Sequence, residues 1–191
     1  MKESKSHVTS AKDSIASTMK DVGEMTATVV DTVTNGVLNA IKHTGEVGGA
    51  VSHVVHRTFL GVAEAGGDVG SAAKDTVLGV LRGTREVGDK ALDAVSSAAS
   101  AVIESTAEIG GNVGSAAKGA VEGAIAGAKE VGLNAGDAAS SAAAGAFKAA
   151  DKIGSTAAAQ VHAAVRGTIA GVKVFLEKKP SPGEGGPDSI A

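Results

Sequence analysis

The chain has 191 residues, of which 18 are basic and 21 are acidic, and it contains no cysteine. Although 43% of the residues are hydrophobic, only 2% are aromatic, so large core-filling side chains are scarce and a thick globular core is not expected. The net charge of −3, with both signs mixed along the chain, argues against nucleic-acid binding. The lack of cysteine excludes disulfide bonds, thiol nucleophiles and cysteine-based metal sites.

Residues 1–19 are predicted to form a helical lead-in, because Val8, Ile15 and Met19 keep the apolar spacing of the region that follows. This segment lacks the apolar core that a secretory signal needs. The longest charge-free apolar stretches of the chain are also well short of the ~20 residues required to cross a bilayer. We therefore expect a cytoplasmic protein.

Residues 20–173 are predicted to form seven amphipathic helical repeats of 22 residues. Glycine recurs at every 22nd position from Gly66 to Gly154, no proline interrupts the region, and the phrases EAGGDVG (64–70) and EIGGNVG (108–114) stand 44 residues apart. A unit of two 11-mers has an apolar period of about 3.67 residues per turn, which is typical of α-helix. The pattern predicts an all-α fold, either one long helix or helical hairpins in a bundle, partly disordered when isolated.

Glycines at the borders of the apolar stripe are predicted to mediate helix packing, because glycines four residues apart permit close backbone approach. The predicted helix-packing residues are Gly66, Gly70, Gly79, Gly83, Gly110, Gly114, Gly123, Gly127, Gly132, Gly136, Gly167 and Gly171. Displacing the partner helix by one 11-mer, roughly 16 Å, would set pairs such as Val77 and Leu81 over glycines. The alternative is that glycine is tolerated in a loosely ordered chain. Breaks are predicted at Gly48-Gly49, Gly66-Gly67 and Gly110-Gly111.

Charged residues divide between the two flanks of the stripe. The acidic flank carries Glu64, Glu86, Glu108 and Glu130, and the basic flank carries Lys74, Lys118, Arg85, Lys129 and Lys173. Neighbouring helices could pair flank to flank, although exposed ion pairs contribute only ~0–1 kcal/mol each. A solvated charged face is the alternative interpretation.

Residues 174–191 are predicted to contain the end of the last helix and a disordered tail. The stretch VKVFLEKK (172–179) places basic residues near the negative end of the helix dipole. The remaining PSPGEGGPDSIA is rich in proline and glycine, which is typical of disorder.

No constellation of residues predicts a catalytic, cofactor-binding or metal site. His53 and His56 have a spacing that could bring two imidazoles to one metal ion on a helix, but no carboxylate stands at a convincing third position. The phrases GGDVGS and GGNVGS lack the lysine and the Ser/Thr ending of a phosphate-binding loop. We therefore expect a protein that is not an enzyme and that uses no cofactor.

The segments TGEVGGAVSHVV (44–55), AAKDTVLGV (72–80) and AAKGAVEGA (116–124) carry a resemblance to known repeat proteins. They resemble late embryogenesis abundant proteins of the 11-mer-repeat type, and the period is similar to that of exchangeable apolipoproteins and synucleins. The resemblance implies protection of membranes and proteins during stress or desiccation, with disorder in dilute solution and helix on drying or on a surface. The basic residues favour one border, whereas lipid-surface helices carry lysines on both, and this favours association between helices.

The leading functional hypothesis is therefore a stress-protective protein whose amphipathic helix covers membrane surfaces or partly unfolded proteins. The alternative is a structural protein in which helices pack through Gly-x-x-x-Gly borders into a bundle or filament, with other copies of the chain as partners. Ice binding is a third possibility, but the threonines do not recur in register, which argues against it.

Overall fold

The computed structural model describes residues 22–44, 47–85 and 90–174. The predicted lead-in 1–19 and all but the first residue of the predicted tail 174–191 lie outside these ranges. The described residues form seven helices and one hairpin: α1 Val22–Thr44, α2 Val47–Glu64, α3 Val69–Thr84, α4 Ala91–Glu108, α5 Val113–Val131, α6 Ala135–Ile153, α7 Ser155–Val165, β1 Thr168–Ile169 and β2 Val172–Lys173.

The helices pack in two rows. One row contains α1, α3, α5 and α7, and the other contains α2, α4 and α6, so each helix lies beside the helix after next and also contacts its neighbours in sequence. The structural unit is thus a pair of helices with its connections. Because two 22-residue repeats make one pair, equivalent positions recur every 44 residues, which is the interval between the two glycine-rich phrases. The all-α prediction is confirmed, and the packed hairpins replace the alternative of one long helix.

Glycine ends three of the helices by adopting a left-handed conformation. Gly66, Gly110 and Gly132 follow α2, α4 and α5 with φ values of 77°, 70° and 79°. The amide of the residue after each glycine donates to a carbonyl five residues earlier, as in Gly111 N to Thr106 O at 2.8 Å. These bonds satisfy carbonyl groups at the helix end and are typical of a Schellman motif, which glycine favours because it has no Cβ.

An aspartate or asparagine begins the next helix directly after these turns. Asp68 Oδ1 accepts from Ser71 N at 2.7 Å, and Asn112 Oδ1 accepts from Ser115 N at 2.8 Å. Asn134 Oδ1 accepts from Gly136 N at 2.7 Å in the same way. Each side chain satisfies an amide that has no partner within its helix. The phrases GGDVG and GGNVG are therefore a helix stop followed by a helix start.

The positions of the breaks differ in part from the prediction. Breaks do occur at Gly66-Gly67 and Gly110-Gly111, and the chain also turns at the single glycines Gly132 and Gly154. The break predicted at Gly48-Gly49 is wrong, since both residues lie within the first turn of α2. The buried residues Val47 and Val51 hold this part of the helix in the core, and tertiary packing outweighs the low helix propensity of glycine.

The core is built mainly from small aliphatic side chains. Its largest fully buried residues are Phe59, Leu81, Ile103 and Ile125. In α6 the buried side chains are all alanine: Ala138, Ala139, Ala142, Ala143, Ala146, Ala149 and Ala150. The apolar stripe predicted from the sequence thus faces the neighbouring helices. No helix within the described ranges is long and apolar enough to cross a membrane.

The last repeat departs from the prediction that helix continues to Lys173. Helix α7 ends at Val165, and β1 and β2 then pair antiparallel, with Thr168 opposite Lys173 and Ile169 opposite Val172. The turn places Ala170 at φ 48° and Gly171 at φ 80°. Two consecutive positive φ values define a type I′ turn, which reverses the chain where the repeat pattern predicts another helical turn.

In the described ranges, four of the five buried polar or charged residues carry a hydroxyl group, and they differ in whether that hydroxyl has a hydrogen-bond partner. Thr84, Ser105 and Thr106 donate to carbonyl oxygens one turn earlier, at 2.9, 2.7 and 2.7 Å. The Thr76 hydroxyl in α3 is fully buried and has no hydrogen-bond partner among the described residues. A buried hydroxyl without a partner destabilises the folded state, because it has lost its bonds to water.

Replacing Thr76 by valine should therefore raise the free energy of unfolding by about 1–2 kcal/mol, since a methyl group replaces the unsatisfied hydroxyl at similar volume. The matched control is Thr106→Val, which removes the hydroxyl that donates to Val102 O and should lower stability by about 1 kcal/mol. Urea unfolding followed by circular dichroism measures both. Equal loss of stability in the two variants would contradict the assignment of Thr76 as unsatisfied.

Candidate functional site: glycine-mediated helix contacts

Two glycines of α3 form the contact with α1. A Cβ atom placed on Gly79 would lie 2.8 Å from Val30 O and 2.9 Å from Val33 Cβ. At Gly83 it would lie 2.9 Å from Thr34 O and 3.0 Å from Val37 Cβ. Real Cβ atoms do not approach this closely, so alanine at either position would push the two helices apart.

The contact between α3 and α5 brings one backbone directly against the other. A Cβ on Gly119 would overlap the carbonyl oxygen of Gly70, and a Cβ on Gly123 would overlap that of Lys74. One turn later, a Cβ on Gly127 would lie 2.7 Å from Leu81 Cδ1. The three glycines stand four residues apart and therefore share one face of α5.

The second row contains an equivalent contact. Gly145 of α6 faces α4, where an added Cβ would overlap the carbonyl oxygen of Ser96. Between the rows, a Cβ on Gly36 of α1 would lie 2.8 Å from Val54 Cγ1 of α2. Sequence reasoning missed Gly119, although it continues the four-residue spacing of Gly123 and Gly127. Gly145 stands alone in a run of alanines, and no spacing signal identifies it.

These contacts share one register along the chain. The nearest atom to an added Cβ is the carbonyl oxygen of Val30 at Gly79, of Gly70 at Gly119 and of Ser96 at Gly145, in each case 49 positions earlier. Because the repeat of one helix pair is 44 residues, helices of the same row are displaced by about one helical turn. The displacement of one 11-mer that the sequence suggested is therefore wrong.

Five glycines assigned to packing lie in turns instead. Gly66, Gly110 and Gly132 end helices, and Gly167 and Gly171 lie in the C-terminal hairpin segment with φ values of 95° and 80°. No atom outside their immediate neighbours lies within 4 Å of a Cβ built on any of the five. Their positive φ values, and not the approach of a helix, account for glycine at these positions.

The three remaining predicted glycines occupy the second residue of a helix. At Gly70 a Cβ would lie 3.4 Å from Ser115 O of α5, and at Gly114 it would lie 3.2 Å from Gln160 O of α7. Gly136 meets only the capping oxygen of Asn134, at 3.1 Å. Gly70 and Gly114 therefore face a neighbouring helix of their row, and Gly136 does not.

Ion pairs also join helices of the same row. The Arg82 guanidinium of α3 donates to both carboxylate oxygens of Glu130 in the last turn of α5, at 2.8 and 3.2 Å. The hydrogen bond to Glu130 raises the pKa of Arg82 above its ordinary value. In the other row, Lys152 Nζ lies 3.4 Å from Glu104 Oε1. Both pairs span 48 positions, as the one-turn displacement requires, and both are exposed enough that they set alignment more than strength.

Two of the ion pairs use residues of the predicted acidic flank, but none of their basic partners belongs to the predicted basic flank. Glu130 and Glu108 belong to the acidic flank, but their partners Arg82 and His56 are outside the basic set. His56 Nδ1 lies 2.9 Å from Ser105 Oγ and 3.8 Å from Glu108 Oε2. Since the Ser105 hydroxyl already donates to Ala101 O, its oxygen accepts from His56 Nδ1–H. Flank position alone therefore did not identify the partners.

The two histidines considered for metal binding have different surroundings. His56 bonds to Ser105 of α4, whereas the side chain of His53 is exposed to solvent. Across the ranges that the structure describes, no three histidine, cysteine, aspartate or glutamate side chains cluster as metal ligands would. The glycine contacts and the ion pairs hold neighbouring helices together at close range.

Comparison of the chain with models of protein families, with curated proteins and with solved structures finds no match. The observations that bear on function are therefore the glycine contacts and the ion pairs between the helices.

Replacing Gly123 by alanine should lower the free energy of unfolding by about 2–3 kcal/mol, because the new methyl group would overlap the backbone of α3. Gly61 provides the matched control, since it lies within α2 with no atom within 4 Å of an added Cβ. Gly61→Ala should raise stability by about 1 kcal/mol through helix propensity alone. Urea denaturation measures both, and a stabilising effect of Gly123→Ala would contradict the close approach of α3 and α5.

Proposed function

We propose that the protein is a non-enzymatic structural protein, a scaffold formed by helical hairpins that pack against one another within one chain. The observation that carries this proposal is the repeated contact of glycine in one helix with the backbone of the preceding helix of its row, as at Gly123 on Lys74. A glycine that is merely tolerated in a loose chain has no reason to meet another backbone at the same register in both rows. The contacts favour a specific packed state.

The outer face of α1, the first described helix of the row that contains α3, α5 and α7, favours a finite scaffold over a filament. Gly79 and Gly83 of α3 have equivalents 44 residues later in Gly123 and Gly127 of α5. The corresponding residues 44 positions earlier are Asn35 and Asn39 of α1, and both are exposed. Asparagine side chains would prevent another helix from approaching α1 as closely as α1 approaches α3. Polar outer faces of this kind are typical of the terminal units of repeat proteins.

The full chain in dilute buffer should be strongly helical, melt cooperatively, and sediment as a monomer whose mass does not change with concentration. The double variant Gly119→Leu/Gly123→Leu should lose this cooperative transition, since two leucines cannot fit against the α3 backbone. Gly61→Leu is the matched control and should retain it. A chain that is mostly coil in buffer, or a double variant that melts like the parent, would contradict the scaffold proposal.

A second candidate is stress or desiccation protection, with the helices covering membrane surfaces or partly unfolded proteins. The observation that favours it is the composition of the core, above all the buried face of α6, which consists of seven alanines and Gly145. Each alanine buries little apolar area, so a helix of this kind gives up little packing free energy when it exchanges its neighbours for another apolar surface. The resemblance to late embryogenesis abundant repeats supports the same candidate.

Vesicles and drying distinguish the two candidates. A protectant should gain helicity and bind when anionic vesicles are added, and it should preserve an enzyme or a liposome through drying better than an equal mass of an unrelated soluble protein. Circular dichroism, vesicle co-sedimentation and leakage after rehydration measure these effects. A spectrum unchanged by vesicles, with no protection on drying, would exclude the second candidate while leaving the scaffold proposal in place.

A further inference from the structure

The C-terminal segment 167–174 differs in kind from the helices on which it lies. It contains the two-residue strands β1 and β2, which are the only strands among the described residues. Strands of two residues are shorter than those usual in proteins, and an isolated two-stranded hairpin is marginally stable in water. The hairpin therefore depends on its contacts with the rest of the protein.

Those contacts rest on few side chains. β1 packs on α5 and β2 on α6, where Ile169 and Val174 are buried and Val172 is half-buried. Thr168, Ala170 and Gly171 face solvent. The burial of two aliphatic side chains must offset the conformational entropy lost when eight backbone residues become ordered. Three of the eight have positive φ, namely Gly167, Ala170 and Gly171. Helices α3, α5 and α6, by contrast, are held by glycines that meet the backbone of a neighbouring helix in their row.

The turn itself disfavours the closed hairpin. A type I′ turn needs positive φ at both central residues, for which Asn-Gly is the preferred pair. The chain has Ala170-Gly171, and Ala170 is the only residue other than glycine with positive φ in the described part of the chain. Alanine in the left-handed region has its Cβ close to the following carbonyl oxygen, which weakens the closed state.

We propose that residues 167–174 form a strap that opens and closes over α5 and α6 while the helices stay packed. Closed, the strap covers part of α5 and α6 with the buried side chains of Ile169 and Val174, and Val174 N donates to Gly167 O at 3.1 Å. Open, it uncovers that surface and frees the Val174 amide. The equilibrium between the two states depends on residue 170.

Amide hydrogen exchange on the full chain tests the strap directly. The Val174 amide should exchange at least about tenfold faster than amides in the middle of α5, such as Ala120 and Ala124, because it exchanges by local opening. Ala170→Asn should slow Val174 exchange by roughly fivefold or more, since asparagine is tolerated in the left-handed region, and should leave α5 unchanged. The same substitution at the exposed helical residue Ala144 should leave Val174 exchange unchanged.

Chemical labelling gives a second measurement, which the absence of cysteine makes simple. A single Val174→Cys should react with a thiol reagent much faster than a single Val161→Cys, which is fully buried in α7, and Ala170→Asn should slow only the first reaction. Equal exchange of Val174 and α5 amides, equal labelling of the two cysteines, or an Ala170→Asn variant with unchanged strap exchange would overturn the proposal.

Discussion

The distance between helix backbones within a row is the constraint on which the rest of the structure depends. Where Gly119 and Gly123 meet the carbonyl groups of α3, nothing larger than a hydrogen atom fits between the two chains. Helices held this close leave little space for side chains along their shared face, and small aliphatic residues fill it without strain. The scarcity of aromatic residues and the abundance of alanine in the sequence therefore follow from the spacing of the helices. The thin core belongs to a packed protein and does not indicate a loose one.

Glycine has two separate roles in this arrangement, and its backbone conformation distinguishes them. At Gly66, Gly110 and Gly132 a positive φ ends a helix and starts the short turn that reverses the chain. At Gly79, Gly83 and Gly123 the residue is helical, and the absence of a side chain lets a neighbour approach. The first role folds the chain into hairpins, and the second joins each hairpin to the next. Since both roles recur with the 44-residue period of a helix pair, as at Gly66 and Gly110 and at Gly79 and Gly123, the turns and the contacts remain in register along the two rows.

The sequence predicted much of the fold because a single period carries the helix type, the apolar stripe and two of the double-glycine breaks. It did not separate the two roles of glycine, since Gly66 and Gly79 look alike until φ and the neighbouring atoms are known. Gly132 and Gly154 end helices without a second glycine to mark them, and Gly145 contacts Ser96 without a partner glycine four residues away. The hairpin was missed because Val165 and Ile169 continue the apolar spacing of a helix. The apolar pattern, with its period of about 3.67 residues per turn, contains no information on the positive φ values of Gly167 and Gly171.

The two candidate functions make opposite use of the same apolar stripe, because side chains buried between helices are not available to another surface. The helices differ in what they would give up on leaving the stack: α2 buries Phe59 and four valines, α6 buries seven alanines and Gly145, and α7 buries only Ala157, Val161 and Val165. Since apolar free energy scales with buried area, α7 loses least by exchanging partners. The strap follows α7 in the chain and lies against α5 and α6. Packing energetics thus make α7 the helix that leaves the stack at the lowest cost, while the glycine contacts of α3 with α1 and α5 and of α6 with α4 keep the other helices together.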